Sequence, residues 1–167
     1  MPDDARRVYW DANVLLSYLN GLPDRLPTLD ELLRQARAGE IELLTSTLSR
    51  VEVAFAQAEK DQQALDQETE AKIDNLWTPP SPIKTVEFYD LIGDGARALI
   101  RQGISQGWGS LKPIDAIHMA TAQRLNVAEL QTYCARLHKW SGKLGFPVVE
   151  PQTAQGTLDI GISGPHI

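Results

Sequence analysis

Short β-forming runs alternate with helix-patterned stretches along almost the whole chain, and that alternation restricts the fold more than any other feature. Val8-Tyr9-Trp10 stops at Asp11 and is followed by Val14, Leu15, Leu16, Tyr18 and Leu19, the pattern of a strand that runs into a helix. Leu29, Leu32, Leu33 and Ala36 make one apolar stripe, opened by Thr28 and Glu31 at capping-box spacing and closed by Gly39. Residues 41–45 read as a strand and 48–77 as one long helix, broken by Pro79, Pro80 and Pro82. Residues 83–89 fit either a strand or a helix start. Residues 90–102 read as helix, 103–109 as a glycine-rich flexible link, and 113–125 as a helix opened by Pro113. A strand over 126–132, a helix to Gly142 and a strand over 146–150 complete the series. Strands alternating with helices predict an α/β domain with a mostly parallel central sheet.

Composition narrows the class. The chain's 167 residues suit one domain; residues 1–151 are expected to form it, with 152–167, rich in Gly, Pro, Thr and Ser, as a flexible tail. With 43% apolar and 23% charged residues, disordered and collagen-like classes are excluded. No apolar run approaches the roughly 18 residues of a membrane span, and the charged first ten residues leave no room for a signal peptide's apolar core. The single cysteine, Cys134, rules out an intrachain disulfide. Both features predict a cytoplasmic protein.

The net charge of −6 argues against gripping nucleic acid by bulk charge, yet the charge is uneven. Glu52 to Asp74 holds seven acids and two bases, whereas Arg97 to Lys143 holds seven bases and two acids. Such runs are either two solvated helical faces or an acidic molecule with a phosphate-facing side.

Three carboxylates stand out by position. Asp11 falls at the C-terminal end of the first strand, the edge where parallel sheets bind ligands, although a helix N-cap also suits an Asp there. Glu52 lies in the first turns of the long helix, at capping-box spacing from Ser49. Asp115 follows Pro113 in a first helical turn, where the helix dipole favours an acid. Singly, each has a structural explanation. Converging over one sheet edge, they would repel one another unless a divalent cation sat among them. Oxygen donors without a Cys-His set point to Mg²⁺ or Mn²⁺ rather than zinc, and such an ion suits phosphate-ester hydrolysis.

Strand-Asp11-x-Asn13, Ser46 six residues before Glu52, and Asp115-Ala116-Ile117-His118-Met119-Ala120-Thr121-Ala122 together resemble the PIN domain family, and are most similar to single-domain VapC-type toxins. The resemblance spans residues 8–151 and implies a PIN-like three-layer α/β/α domain over residues 1–151. It further implies a metal-dependent ribonuclease of toxin–antitoxin type, dimeric and restrained by an antitoxin protein, leaving 5′-phosphate and 3′-hydroxyl ends. Asp11, Glu52 and Asp115 match the family's acidic metal-binding residues, Asn13 the small polar residue supporting the first acid, and Ser46 a polar position ending the second strand. One position departs: the family often carries a fourth acid in a Thr-x-Asp pattern, and here Thr132-Tyr133-Cys134 puts a thiol there, a poor ligand for a hard cation.

The remaining candidates are less specific. His118 shares a helical face with Asp115 and is either a phosphate contact or a packed histidine. Arg50 and Lys112 flank the acids and fit RNA-backbone contacts or solvated charge. Trp10, Trp77, Trp108 and Trp140 read as core or interface anchors. Two other functions compete: a PIN-like module that has lost activity and binds RNA or a partner, motivated by Cys134, and a haloacid-dehalogenase-like phosphatase. The phosphatase shares the strand-end Asp, and Gly93-Asp94-Gly95 faintly matches its late motif, but Asn13 stands where it needs a second acid.

Overall fold

The computed structural model describes residues 5–153; the expected tail lies almost wholly outside them. Five strands, β1 (Arg6–Trp10), β2 (Ile41–Ser46), β3 (Ile83–Val86), β4 (Glu129–Gln131) and β5 (Val148–Val149), form one sheet in the order β3-β2-β1-β4-β5. Every neighbouring pair is parallel, and Val8 lies opposite Leu43 on one side and Glu129 on the other. Parallel neighbours need crossovers. Helices α1 (Ala12–Leu19) and α2 (Leu26–Arg37) join β1 to β2, and α3 (Ser49–Glu52), α4 (Gln57–Gln62) and α5 (Gln67–Trp77) join β2 to β3. Helices α6 (Asp90–Ser105) and α7 (Pro113–Arg124) lead to β4, and α8 (Ala135–His138) leads to β5.

Because strand side chains alternate between faces, β1 splits the core in two. Val8 and Trp10 pack with Val14, Leu15, Leu29, Leu32 and Leu76, while Tyr9 packs on the other face with Ile92, Leu99, Met119 and Trp140. Helices α1, α2 and α5 therefore cover one face and α6 and α7 the other, the three-layer α/β/α arrangement that the family resemblance implies. Burial also decides where α2 begins. It starts at Leu26 with Pro27 in its first turn and no side-chain cap, and Glu31 pairs with Arg34 at 2.8 Å instead of closing a box with Thr28. The buried Leu29, Leu32 and Leu33 contribute about 1.5–3 kcal/mol each, against about 1 kcal/mol for a lost cap.

The long helix expected over 48–77 is three helices. Its first break follows Glu52, and its second is at Gln63, which is left-handed at φ 51. The buried Glu59 bridges both breaks: one carboxylate oxygen accepts the Ala56 N–H at 3.3 Å and the other the Asp66 N–H at 3.0 Å. Asp66 then caps α5 through the Thr69 N–H at 2.9 Å. The expected Ser49–Glu52 box is also absent, since Ser49 is buried and bonded to Thr45 at 2.7 Å. The link expected at 103–109 begins inside α6: a Cβ on Gly103 would lie 2.6 Å from the Gly109 carbonyl and 2.8 Å from the Trp140 ring, so the glycine there permits close packing.

The strand order sets the position of the site. The chain builds β1, β2 and β3 in one direction, then returns to place β4 on the other side of β1. The carboxyl ends of β1 and β4 thus form a topological switch point, where open α/β sheets bind ligands. Among the described residues, no helix is long and apolar enough to cross a membrane.

Candidate active site

Asp11 is the first residue after β1 and stands at this switch point. It is also the N-cap of α1, its Oδ1 accepting the Val14 N–H at 3.2 Å, so the structural reading of this residue holds. Only 5% of Asp11 is exposed. Burial pushes its carboxyl up to about 6; the Thr132 hydroxyl, the charge on His118 and the Val14 amide oppose the rise, and the charge on Asp115 adds to it. Among the described residues, no lysine or arginine pairs with Asp11.

Asp115 sits in the first turn of α7, where the helix dipole favours its charge. Its Oδ2 accepts a hydrogen bond from Arg136 Nη2 at 3.0 Å. Glu52, the last residue of α3, meets the buried His118 at 2.6 Å between Oε1 and Nε2. On the other side of that ring, Nδ1 lies 2.7 Å from the Tyr9 hydroxyl. Burial, then the charges on Asp11 and Glu52, hold the Tyr9 hydroxyl well above its ordinary range, so it is a neutral donor. The His118 ring thus bridges the Tyr9 hydroxyl and the Glu52 carboxylate.

The structure therefore brings Asp11, Asp115 and Glu52 to one sheet edge. Asp11 feels the charges on Asp115 and His118, and His118 holds Glu52. Ser46 ends β2 fully buried and accepts the Leu48 N–H at 3.2 Å, supporting the turn into α3. Asn13 is exposed in the first turn of α1; its carbonyl accepts the Ser17 hydroxyl at 2.9 Å, and among the described residues no hydrogen bond joins its side chain to Asp11. Arg50 stacks over the Trp77 ring at 5.4 Å, and Lys112 is exposed immediately before α7. Trp10 and Trp140 are fully buried, as expected of core anchors.

Among the described residues, no three His, Cys, Asp or Glu side chains are gathered into a ready metal cage. Asp115 and Glu52 are instead bonded to Arg136 and His118 respectively. The donor chemistry still fits Mg²⁺ or Mn²⁺, because Mg²⁺ keeps most of its waters and takes one or two carboxylates rather than a complete protein cage. A buried Asp11 carboxylate without a cationic partner, coupled to Asp115, fits that requirement.

The PIN domain model matches residues 8–140. The chain belongs to the PIN domain family. Solved structures share the fold of this PIN protein at low identity. VapBC2 from Rickettsia felis, bound to a DNA fragment from its promoter, aligns at TM-score 0.62 and 13% identity over 86% of this chain and 97% of that one. FitAcB from Neisseria gonorrhoeae aligns at 0.59 and 15% over 86% and 97%. A toxin–antitoxin complex from Klebsiella pneumoniae aligns at 0.56 and 22% over 87% and 98%. No curated protein matches the chain.

Several groups at this edge of the PIN domain escape sequence reasoning. Tyr9 looked like a core strand residue, and it is one, but its hydroxyl reaches His118. The Thr132 hydroxyl holds the Asp11 carboxyl down and accepts the Cys134 N–H at 3.1 Å. Arg136 was one base within a basic run; its position two residues past Cys134 was the available signal. Gly93-Asp94-Gly95 falls inside α6 rather than after a strand, which removes the feature the phosphatase reading relied on.

Proposed function

We propose that this PIN domain is a Mg²⁺- or Mn²⁺-dependent endoribonuclease, the toxin of a toxin–antitoxin pair. The observation that carries this reading is the buried Asp11 carboxylate at the switch point, near Asp115 and without a lysine or arginine partner among the described residues. Asp11 and Asp115 would hold the ion directly and Glu52 through water. When bound, the ion supplies an acidified water and offsets charge on the scissile phosphate. The chain does the rest. Asp11 is fixed by the α1 cap, so its position does not depend on the ligand. His118, held by Tyr9, orients Glu52 so that its second carboxylate oxygen can face the attacking water. Products would carry a 5′-phosphate and a 3′-hydroxyl. The partners in this reading are an RNA substrate, a second copy of the chain in a homodimer and an antitoxin protein, the last supported by the toxin–antitoxin complex that shares the fold, and the setting is the cytoplasm.

The test is cleavage of a mixed RNA pool with Mn²⁺, with Mg²⁺ and with chelator, by the wild type and by Asp11→Asn. Cleavage by the wild type alone, abolished by chelator, is expected. Equal cleavage by both proteins, or none by either with any metal, defeats the proposal. The competing reading, an inactive RNA-binding or interaction module, draws on the Asp115–Arg136 ion pair and on Cys134. Binding of RNA without cleavage, and harmless expression without the neighbouring reading frame, would favour it.

A further inference from the structure

We propose that Arg136 contacts the scissile region of the substrate's phosphate backbone, so that one guanidinium and one metal ion together neutralise the phosphate. This assignment rests on the ribonuclease reading for its substrate. Three observations on the same edge carry it. Arg136 is a cation placed by the first turn of α8, immediately past β4, and its Nη2 lies 3.0 Å from Asp115 Oδ2 and 3.8 Å from Cys134 Sγ. Its side chain is 44% exposed while Asp115 is 16% exposed, so the guanidinium faces solvent from the rim, over a carboxylate nearer the protein. Finally, Cys134 beside it is a thiol, a weak hydrogen-bond partner that leaves most of the guanidinium's five donors free.

These donors suit a phosphate. A guanidinium binds a phosphate oxygen pair through two parallel N–H bonds, and Asp115 occupies only one Nη2. A hard second cation would gain little from the soft sulfur of Cys134, and Arg136 would repel it. A fixed positive charge therefore already stands in the region where a further carboxylate would have recruited an ion. The Asp115 contact also aims the side chain: without it, a long exposed arginine would sample many rotamers, at a cost in entropy on binding.

The experiment measures RNA binding separately from cleavage. In an Asp11→Asn background, a fluorescently labelled single-stranded RNA oligonucleotide is titrated against Arg136, Arg136→Lys and Arg136→Ala, with Arg101→Ala on the exposed side of α6 as a charge control. Affinity should fall roughly tenfold or more for Arg136→Ala, the loss expected for a charge-assisted hydrogen bond, less for Arg136→Lys, and less than twofold for Arg101→Ala. In the otherwise wild-type protein, Arg136→Ala should leave Mn²⁺ affinity by calorimetry equal or tighter, because Asp115 is released, while cleavage falls. Equal RNA affinity of Arg136 and Arg136→Ala proteins overturns the assignment, as does an Arg136→Ala protein that cleaves faster, since the arginine would then be an inhibitory latch. Protein that binds RNA through Arg136 but cleaves nothing refutes the nuclease reading and keeps the contact; absence of RNA binding by the parent refutes both.

Discussion

The two ends of the sheet treat carboxylates in opposite ways. Where the strands begin, Glu129 is buried and pairs with Arg6 at 2.9 Å, and Glu42 is held by Arg7 at 3.0 Å and Lys84 at 3.2 Å. Burial pushes the Glu42 carboxyl up, but the hydrogen bonds and charges of Lys84 and Arg7 outweigh it and leave it below its ordinary range. Where the strands end, Asp11 is buried without such a partner and is raised to about 6. Identical chemistry thus moves in opposite directions because Glu42 has cationic partners and Asp11 has none; Arg136, at the carboxyl end, pairs with Asp115 instead. The amino end is locked by its own ion pairs; the carboxyl end is left with an unbalanced charge, which costs stability and is consistent with a site that takes its cation from outside.

Substitutions at the two ends should separate these roles. The largest effect is expected on catalysis: Asp11→Asn and Asp115→Asn should each lower RNA cleavage by roughly a hundredfold or more, whereas Glu42→Gln should leave it within about twofold; a gel assay on one RNA would blur the contrast if all three behaved alike. Next comes Arg6→Leu, which strands the buried Glu129 charge and should cost about 3 kcal/mol in denaturant unfolding, with no change in metal affinity.

The third effect has the opposite sign. Asp11 is protonated in the folded state between about pH 4 and 6, where the unfolded carboxylate has ionised. Its raised value therefore costs stability above pH 6, and the cost disappears as pH falls below about 4. In metal-free buffer at pH 8, Asp11→Asn should unfold at higher denaturant than wild type by about 2–3 kcal/mol, the equivalent of a shift of about two pH units, with the gain vanishing near pH 4. A loss at pH 8 would mean that the Val14 cap, not the charge, dominates this position. Smallest is Glu42→Gln, a partly exposed ion pair worth about 1 kcal/mol or less and weakened by salt.

The fold was legible because β1, β2 and the α2 stripe are each short apolar runs whose period matches their structure. Legibility failed in 48–77, where Ala, Gln, Glu and Lys favour helix throughout and the breaks depend on Glu59 accepting two backbone N–H groups, a tertiary arrangement without a local signature. Strand ends also failed: β4 is three residues where seven were expected, because pairing with β1 sets its length. At the site, Asp11 and Asp115 stand at the strand end and helix start the sequence suggested, whereas Glu52 ends the short α3 rather than opening a long helix. Their partners were not legible, since Tyr9 and His118 meet from 109 positions apart, Thr132 reaches Asp11 across adjacent strands, and Arg136 reaches Asp115 from another helix.

The unbalanced charge at the carboxyl end is tested most directly by titrating Mn²⁺ into the folded wild type and Asp11→Asn at pH 7, followed by calorimetry. One ion bound by the wild type, and none bound by the variant at the same concentrations, is the predicted result. Equal binding by both proteins, or none by the wild type at millimolar metal, would contradict it.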